Sequence, residues 1–122
     1  MKITGTRDLT AARQAAIAQI DFQSEQARAR LVTPGVHQQT VYSIKLDEAR
    51  RVQAGEKKGH YPMLEASIPH EGSTVKQVAE LVIKKHSEMV ANYAAIESDR
   101  AARKAAVLMA DTPSAIQAVV DQ

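Results

Sequence analysis

Between Gly72 and Pro113 the chain contains neither glycine nor proline, the two residues that most readily end a helix. Ser73-Thr74-Val75-Lys76-Gln77 opens this stretch, with Thr74 as a helix N-cap and Gln77 at the spacing of a capping box. Val75, Val78, Val82, His86, Met89, Tyr93 and Ile96 then mark one helical stripe, which Ala101, Ala105 and Leu108 are expected to continue. A helix of about 37 residues is ~55 Å long. A compact domain of 122 residues is only roughly 35 Å across. The sequence therefore predicts either a break near Ser98–Arg100 or an elongated molecule whose long helix offers surface to a partner.

Composition supports helices throughout. Phe22, Tyr42, Tyr61 and Tyr93 are the only aromatic residues, against 21 alanines. Small side chains suit closely packed helices, whereas strands favour β-branched and aromatic residues. With 44% apolar and 25% charged residues the chain reads as globular. It has no cysteine, which excludes disulfides, thiolate metal sites and thiol nucleophiles. No stretch approaches ~18 apolar residues, and Met1–Thr10 lacks the apolar run of a signal peptide, so neither a membrane span nor ordinary secretion is expected.

The other elements follow from local punctuation. Residues 1–8 are expected to form a short arm and residues 9–122 one helical domain. A first helix begins near Thr6–Asp8, with Thr6 or Asp8 as cap, and carries Leu9, Ala16, Ile20, Ala27 and Leu31 on one face. Arg13 and Ser24 fall on the same stripe and weaken it. Thr33-Pro34-Gly35 makes the turn, with Thr33 as a second cap and Pro34 at the first helical position. The second helix runs from Val36 to Ala54, has a wide apolar face (Val41, Tyr42, Ile44, Leu46, Ala49, Val52) and ends at Gly55. Glu56–Ser73 is expected to be an irregular connection whose Tyr61-Pro62-Met63-Leu64 segment docks on the helices. Thr112-Pro113 starts a last short helix, Ser114–Val120. The predicted fold is all-α: two N-terminal antiparallel helices, a packed loop, one long helix and a short C-terminal one.

Residues that carry chemistry are sparse. His37, His60, His70 and His86 have no partners at the i+3 or i+4 spacing of helix-borne metal ligands, so no metal or cofactor is expected. His86, on the apolar stripe, reads as a partly buried structural histidine. Gly72-Ser73-Thr74 lacks the second glycine of a nucleophile elbow. The carboxylates Asp47, Glu48, Glu97 and Asp99 fall on predicted solvent faces. An enzyme is not expected. Sixteen Lys+Arg against fourteen Asp+Glu give a net charge of +2, and no basic run exceeds two residues (Arg50-Arg51, Lys57-Lys58, Lys84-Lys85). Nucleic-acid binding needs several clustered cations, so it is the alternative reading and not the first.

Two stretches are similar to a small Ala-rich helical domain of bacteriophage and prophage proteins. Ala15–Ala49 resembles its Ala-rich helix, Thr-Pro-Gly turn and Val-Tyr helix through Leu31-Val32-Thr33-Pro34-Gly35 and Val41-Tyr42. Tyr61-Pro62-Met63-Leu64 matches its Tyr-Pro-aliphatic-Leu loop, and Thr74–Asp111 and Thr112–Val120 match its long and final helices. The likeness covers roughly residues 10–120; Lys57-Lys58 and Lys84-Lys85 depart from it, lying where the family is usually neutral. It implies a non-enzymatic phage tail-region protein, structural or assisting assembly, in the virion or in the host cytoplasm during assembly. The implied partners are a fibre or baseplate subunit or a second copy of the chain, with no membrane involved. Tyr61, Pro62, Met63 and Leu64 are the candidate interface, because an apolar loop segment plugs either its own core or a partner's.

Overall fold

The computed structural model describes residues 8–32 and 35–122, which contain five α-helices and no strand. These are α1 (Thr10–Ala29), α2 (Val36–Gln53), α3 (Pro62–Ala66), α4 (Val75–Met109) and α5 (Pro113–Val120). The all-α expectation holds, with α3 an additional short helix inside the connection expected to be irregular. Of the expected arm, only Asp8 lies among the described residues. The expected single domain divides into two compact units. One comprises α1, the part of α4 from Tyr93 onward, and α5; the other spans Leu31–Asn92, with α2, α3 and the earlier part of α4. The two N-terminal helices, expected as an antiparallel pair, each pack within their own unit, α1 with α5 and α2 with α3.

In the first unit the core is Leu9, Ala16 and Ile20 with Val107 of α4 and Ile116, Val119 and Val120 of α5. The 3–4 spacing on α1 places its three residues on one side. Capping at its start is indirect: Leu9 holds the cap position, and the Asp8 carboxylate accepts a hydrogen bond from the Thr10 amide at 2.9 Å. The Thr10 side chain first, and then this amide bond, hold the exposed Asp8 carboxyl below its ordinary range. Thr112 caps α5 as expected, its hydroxyl accepting from the Ala115 amide at 3.0 Å, and the helix starts at Pro113.

In the second unit Leu46 and Ala49 of α2, Tyr61 and Leu64 around α3, and Val78, Ala79 and Val82 of α4 make the core. α2 begins at Val36, as expected, with Gly35 as N-cap at φ 112°; Thr33, the expected cap, and Pro34 lie outside the described residues. Ile44, expected on the buried face, is 39% exposed. The end of α2 is as expected. Gly55 has φ 83°, its amide bonds to Val52 O, and the Glu56 amide bonds to Arg51 O, the paired bonds of a Schellman motif.

α4 is a single helix of 35 residues, ~52 Å long, and runs through Ser98–Arg100 without the anticipated break. Thr74 caps it as expected, its Oγ1 accepting from the Gln77 amide at 3.1 Å; the return bond of the expected capping box goes one residue further back, Gln77 Oε1 accepting from the Ser73 amide at 2.8 Å. The expected continuation of its stripe is corrected. Ala101, Ala105 and Leu108 are exposed, and the inward row after Ile96 proceeds through Arg100, Arg103, Val107 and Ala110. Steps of four and three continue unbroken through two arginines, so hydrophobicity alone loses the row where geometry keeps it.

Candidate functional site

The loop segment singled out from the sequence is largely taken up by its own unit. Tyr61 and Leu64 are buried, Met63 is half-buried and Pro62 exposed. Tyr61 lies under the Arg51 guanidinium, 5.1 Å from the ring centroid, and a Cβ on Gly59 would overlap the Tyr61 side chain. Burial, then the nearby Glu56 carboxylate, pushes the Tyr61 hydroxyl above its ordinary range. Beneath this segment is a carboxylate that the sequence had placed at the surface. Glu48 is 2% exposed; its Oε1 accepts from the Met63 and Leu64 amides at 3.1 Å each. Pro62 has no N–H and Tyr61 offers no capping side chain, so Glu48, reaching across from α2, satisfies the first turn of α3. Asp47, Glu97 and Asp99 are exposed as expected.

Of the histidines, His37, His60 and His70 are exposed and His86 is half-buried. His86 Nδ1 lies 2.8 Å from the Tyr42 hydroxyl and Nε2 3.3 Å from Arg50 Nη2. Arginine only donates, so Nε2 is the acceptor and a neutral His86 donates from Nδ1 to Tyr42. Both ring nitrogens are engaged within the fold, as a structural histidine requires. Among the described residues no group of three or more His, Asp or Glu is arranged to hold a metal ion.

Lys45 Nζ lies 2.9 Å from Glu71 Oε2, joining α2 to the segment after α3. The Lys45 hydrogen bond, above all, holds the Glu71 carboxyl below its ordinary value of 4.5. A carboxyl depressed on folding stabilises the fold above its unfolded value, and that stabilisation is lost as pH falls through the folded one. Glu71→Gln is therefore expected to be less stable than wild type near about pH 7, and to lose less further stability on acidification. Melting curves taken in steps down to about pH 3 check it; parallel acid profiles for the two proteins would contradict the assignment.

Arg103 is the buried cation of the first unit, 7% exposed. Its Nη2 donates to Val120 O at 2.7 Å, Val119 O at 3.1 Å and Gln23 Oε1 at 2.7 Å, and Nε donates to Val119 O at 3.3 Å. These are the last carbonyls of α5, where a helix runs out of its own donors; Val119 O also accepts from the Gln122 amide, at 3.3 Å. Asp99, 3.6 Å away, supplies a countercharge at the surface. A cleft of about 330 Å³ lies beside it, lined by Gln23, Ser24 and Ala27 of α1 and by Ala95, Ile96, Asp99 and Arg103 of α4. Most of the guanidinium's donors are spent on α5 and Gln23, and Asp99 faces the rest, which leaves the cleft few donors with which to hold a ligand.

The outward side of α4 in the same unit differs in kind. Ala94, Ser98, Ala101, Ala102 and Ala105 are all exposed, and the row ends in Leu108 and Met109, 61% and 84% exposed. Leu108 and Met109 thus extend the row of alanines with large apolar side chains open to solvent. Among the described residues no helix is long and apolar enough to cross a membrane. Compared with known proteins, the chain matches no family model, no curated protein and no solved structure.

Proposed function

We propose that the protein works through protein–protein contacts, as a structural component or assembly factor, by docking a helical partner on the outward face of α4. The observation that carries this reading is the exposed Ala94–Met109 row on a helix whose other side already fills a core. The phage tail region is the proposed setting, and it rests on the sequence resemblance of residues 10–120. Tyr61 and Leu64 serve their own core, so α4 takes over from the loop as the contact surface. The nucleic-acid alternative has less to draw on. Of the three basic pairs, Arg50 meets His86, and Arg51 is bound to Asp47 and Glu56 at 3.2 Å each. Light scattering on the purified chain, alone and with phage tail-fibre and baseplate subunits, is expected to reveal a stable oligomer or complex. A monomer indifferent to all of them removes the proposal.

A further inference from the structure

The outward face of α4 carries information about what covers it. Ala94, Ser98, Ala101 and Ala105 recur in alternating steps of four and three, the repeat of a seam between two helices. Side chains this small let two backbones approach closely, and Leu108 and Met109 extend the row with larger apolar groups. Glu97 and Lys104 edge the seam, each one residue before a seam position, Ser98 and Ala105. Their side chains are 59% and 30% exposed. Their present partners are Arg100 at 3.0 Å and Arg28 at 3.9 Å for Glu97, and Asp21 at 3.8 Å for Lys104. The Glu97–Arg100 pair is exposed, and Lys104 reaches an Asp21 already bound to Arg100 at 2.7 Å, so neither edge charge is tied to one partner.

Laid antiparallel on a second copy, this row has three registers, separated by slips of one heptad. In the middle one Ala94 faces Ala105 and Ser98 faces Ala101, and Glu97 of each chain lies beside Lys104 of the other. Slipped one way, Glu97 meets Glu97; slipped the other way, Lys104 meets Lys104. A parallel in-register pair sets Glu97 beside Ala102 and Lys104 beside Met109, with no charge matched. Attraction thus selects one arrangement and repulsion disfavours its neighbours, which is how edge charges set coiled-coil partners. That arrangement is self-complementary about a two-fold axis, as the commonest homodimers are.

We infer that the α4 face takes a second copy of this chain, antiparallel, with the two-fold axis passing between Asp99 and Arg100. This rests on the contact reading above and names its partner. A seam of four or five turns of small residues buries less than the ~800 Å² per partner of a standard interface, so the dimer forms at micromolar concentrations rather than nanomolar.

Sedimentation equilibrium on the full chain from about 5 to about 500 µM is expected to show a monomer–dimer equilibrium. Ala101→Glu, at an exposed position, leaves the helical spectrum and melting temperature unchanged and weakens dimerisation more than about tenfold. Glu97→Lys weakens it about tenfold, and the exchange Glu97→Lys with Lys104→Glu returns it to within about threefold of wild type. Register is read by oxidation, since the chain has no cysteine of its own. Ala94→Cys with Ala105→Cys closes a covalent dimer; positions 94 and 105 of one helix are ~16 Å apart and cannot bridge within a chain. Ala105→Cys alone stays monomeric in this register and cross-links in a parallel one. A monomer at every concentration, or Ala105→Cys linking as readily as the double variant, overturns the inference. If that monomer still forms a complex with a tail protein and Ala101→Glu abolishes it, the contact reading stands and only the second copy is wrong. A monomer that binds none of them ends both.

Discussion

Arg103→Ala is expected to cost about 3 kcal/mol of stability and to lower the melting temperature by roughly 10 °C. The guanidinium makes charge-assisted bonds to Val119 O, Val120 O and Gln23 Oε1, the shortest at 2.7 Å. Each such bond is worth more than a neutral one, and a cation at a helix C-terminus also opposes the negative end of the helix dipole. Truncation leaves Val120 O without a short bond and Val119 O with only the Gln122 amide at 3.3 Å, in a site where Val119 and Val120 are themselves 7% and 8% exposed, so water replaces the lost donors poorly. Gln23 Nε2, 3.4 Å from Val120 O, is too long a bond to compensate. Arg103→Met separates the two contributions, because it keeps the apolar stem and removes the donors. It is expected to recover less than about half of the loss. Hydrogen exchange reads the effect locally: the amides of α5 lose protection first. An Arg103→Ala protein within about 0.5 kcal/mol of wild type would show that α5 is held by its apolar contacts alone.

Arg103 also marks where the sequence stopped being legible. The punctuation of the chain translated directly into structure: Thr74 with Gln77, Thr112 with Pro113, and Gly55 each end or start a helix by a hydrogen-bond pattern complete within a few residues. Local patterns of this kind need no tertiary information. Tertiary choices are different. Beyond Ile96 the apolar reading followed Ala101, Ala105 and Leu108, while the helix kept its geometric phase through Arg100 and Arg103. Arg103 goes inside because α5 ends against it, and Arg100 is half-buried because Asp21 lies 2.7 Å from its Nε; neither partner is near in sequence. A check of the four-three spacing, ignoring residue type, would have found the row, and with it the exposed alanines of the opposite face. Ile44 and Glu48 went wrong in opposite directions on the same helix. Hydropathy puts isoleucine in and glutamate out, but α2 faces a short helix whose first amides need an acceptor.

That need gives the second large effect. Glu48→Ala is expected to cost about 3 kcal/mol, comparable to losing a large core side chain. Proline at the start of α3 removes one unpaired donor, and the Met63 and Leu64 amides are left for Glu48 to satisfy, at 3.1 Å each. Leu64 is fully buried, so without the carboxylate its amide has neither a protein partner nor ready access to water. The anion also sits at the positive end of the short helix, where its charge is favourable. A helix of five residues has too few internal bonds to persist by propensity. Its order comes from Leu64 in the core and from Glu48 at its start, so removing the cap is expected to unseat Leu64 and Tyr61 together. Glu48→Gln keeps the shape and one acceptor oxygen but loses the charge, and is expected to cost only about 1 kcal/mol. Denaturant unfolding of the two variants, read together with exchange at the Met63 and Leu64 amides, distinguishes capping from packing. If Glu48→Gln is as damaging as Glu48→Ala, the ionised group itself is what α3 requires. If both are near neutral, the burial of Leu64 and Tyr61 is enough to hold the turn without a cap.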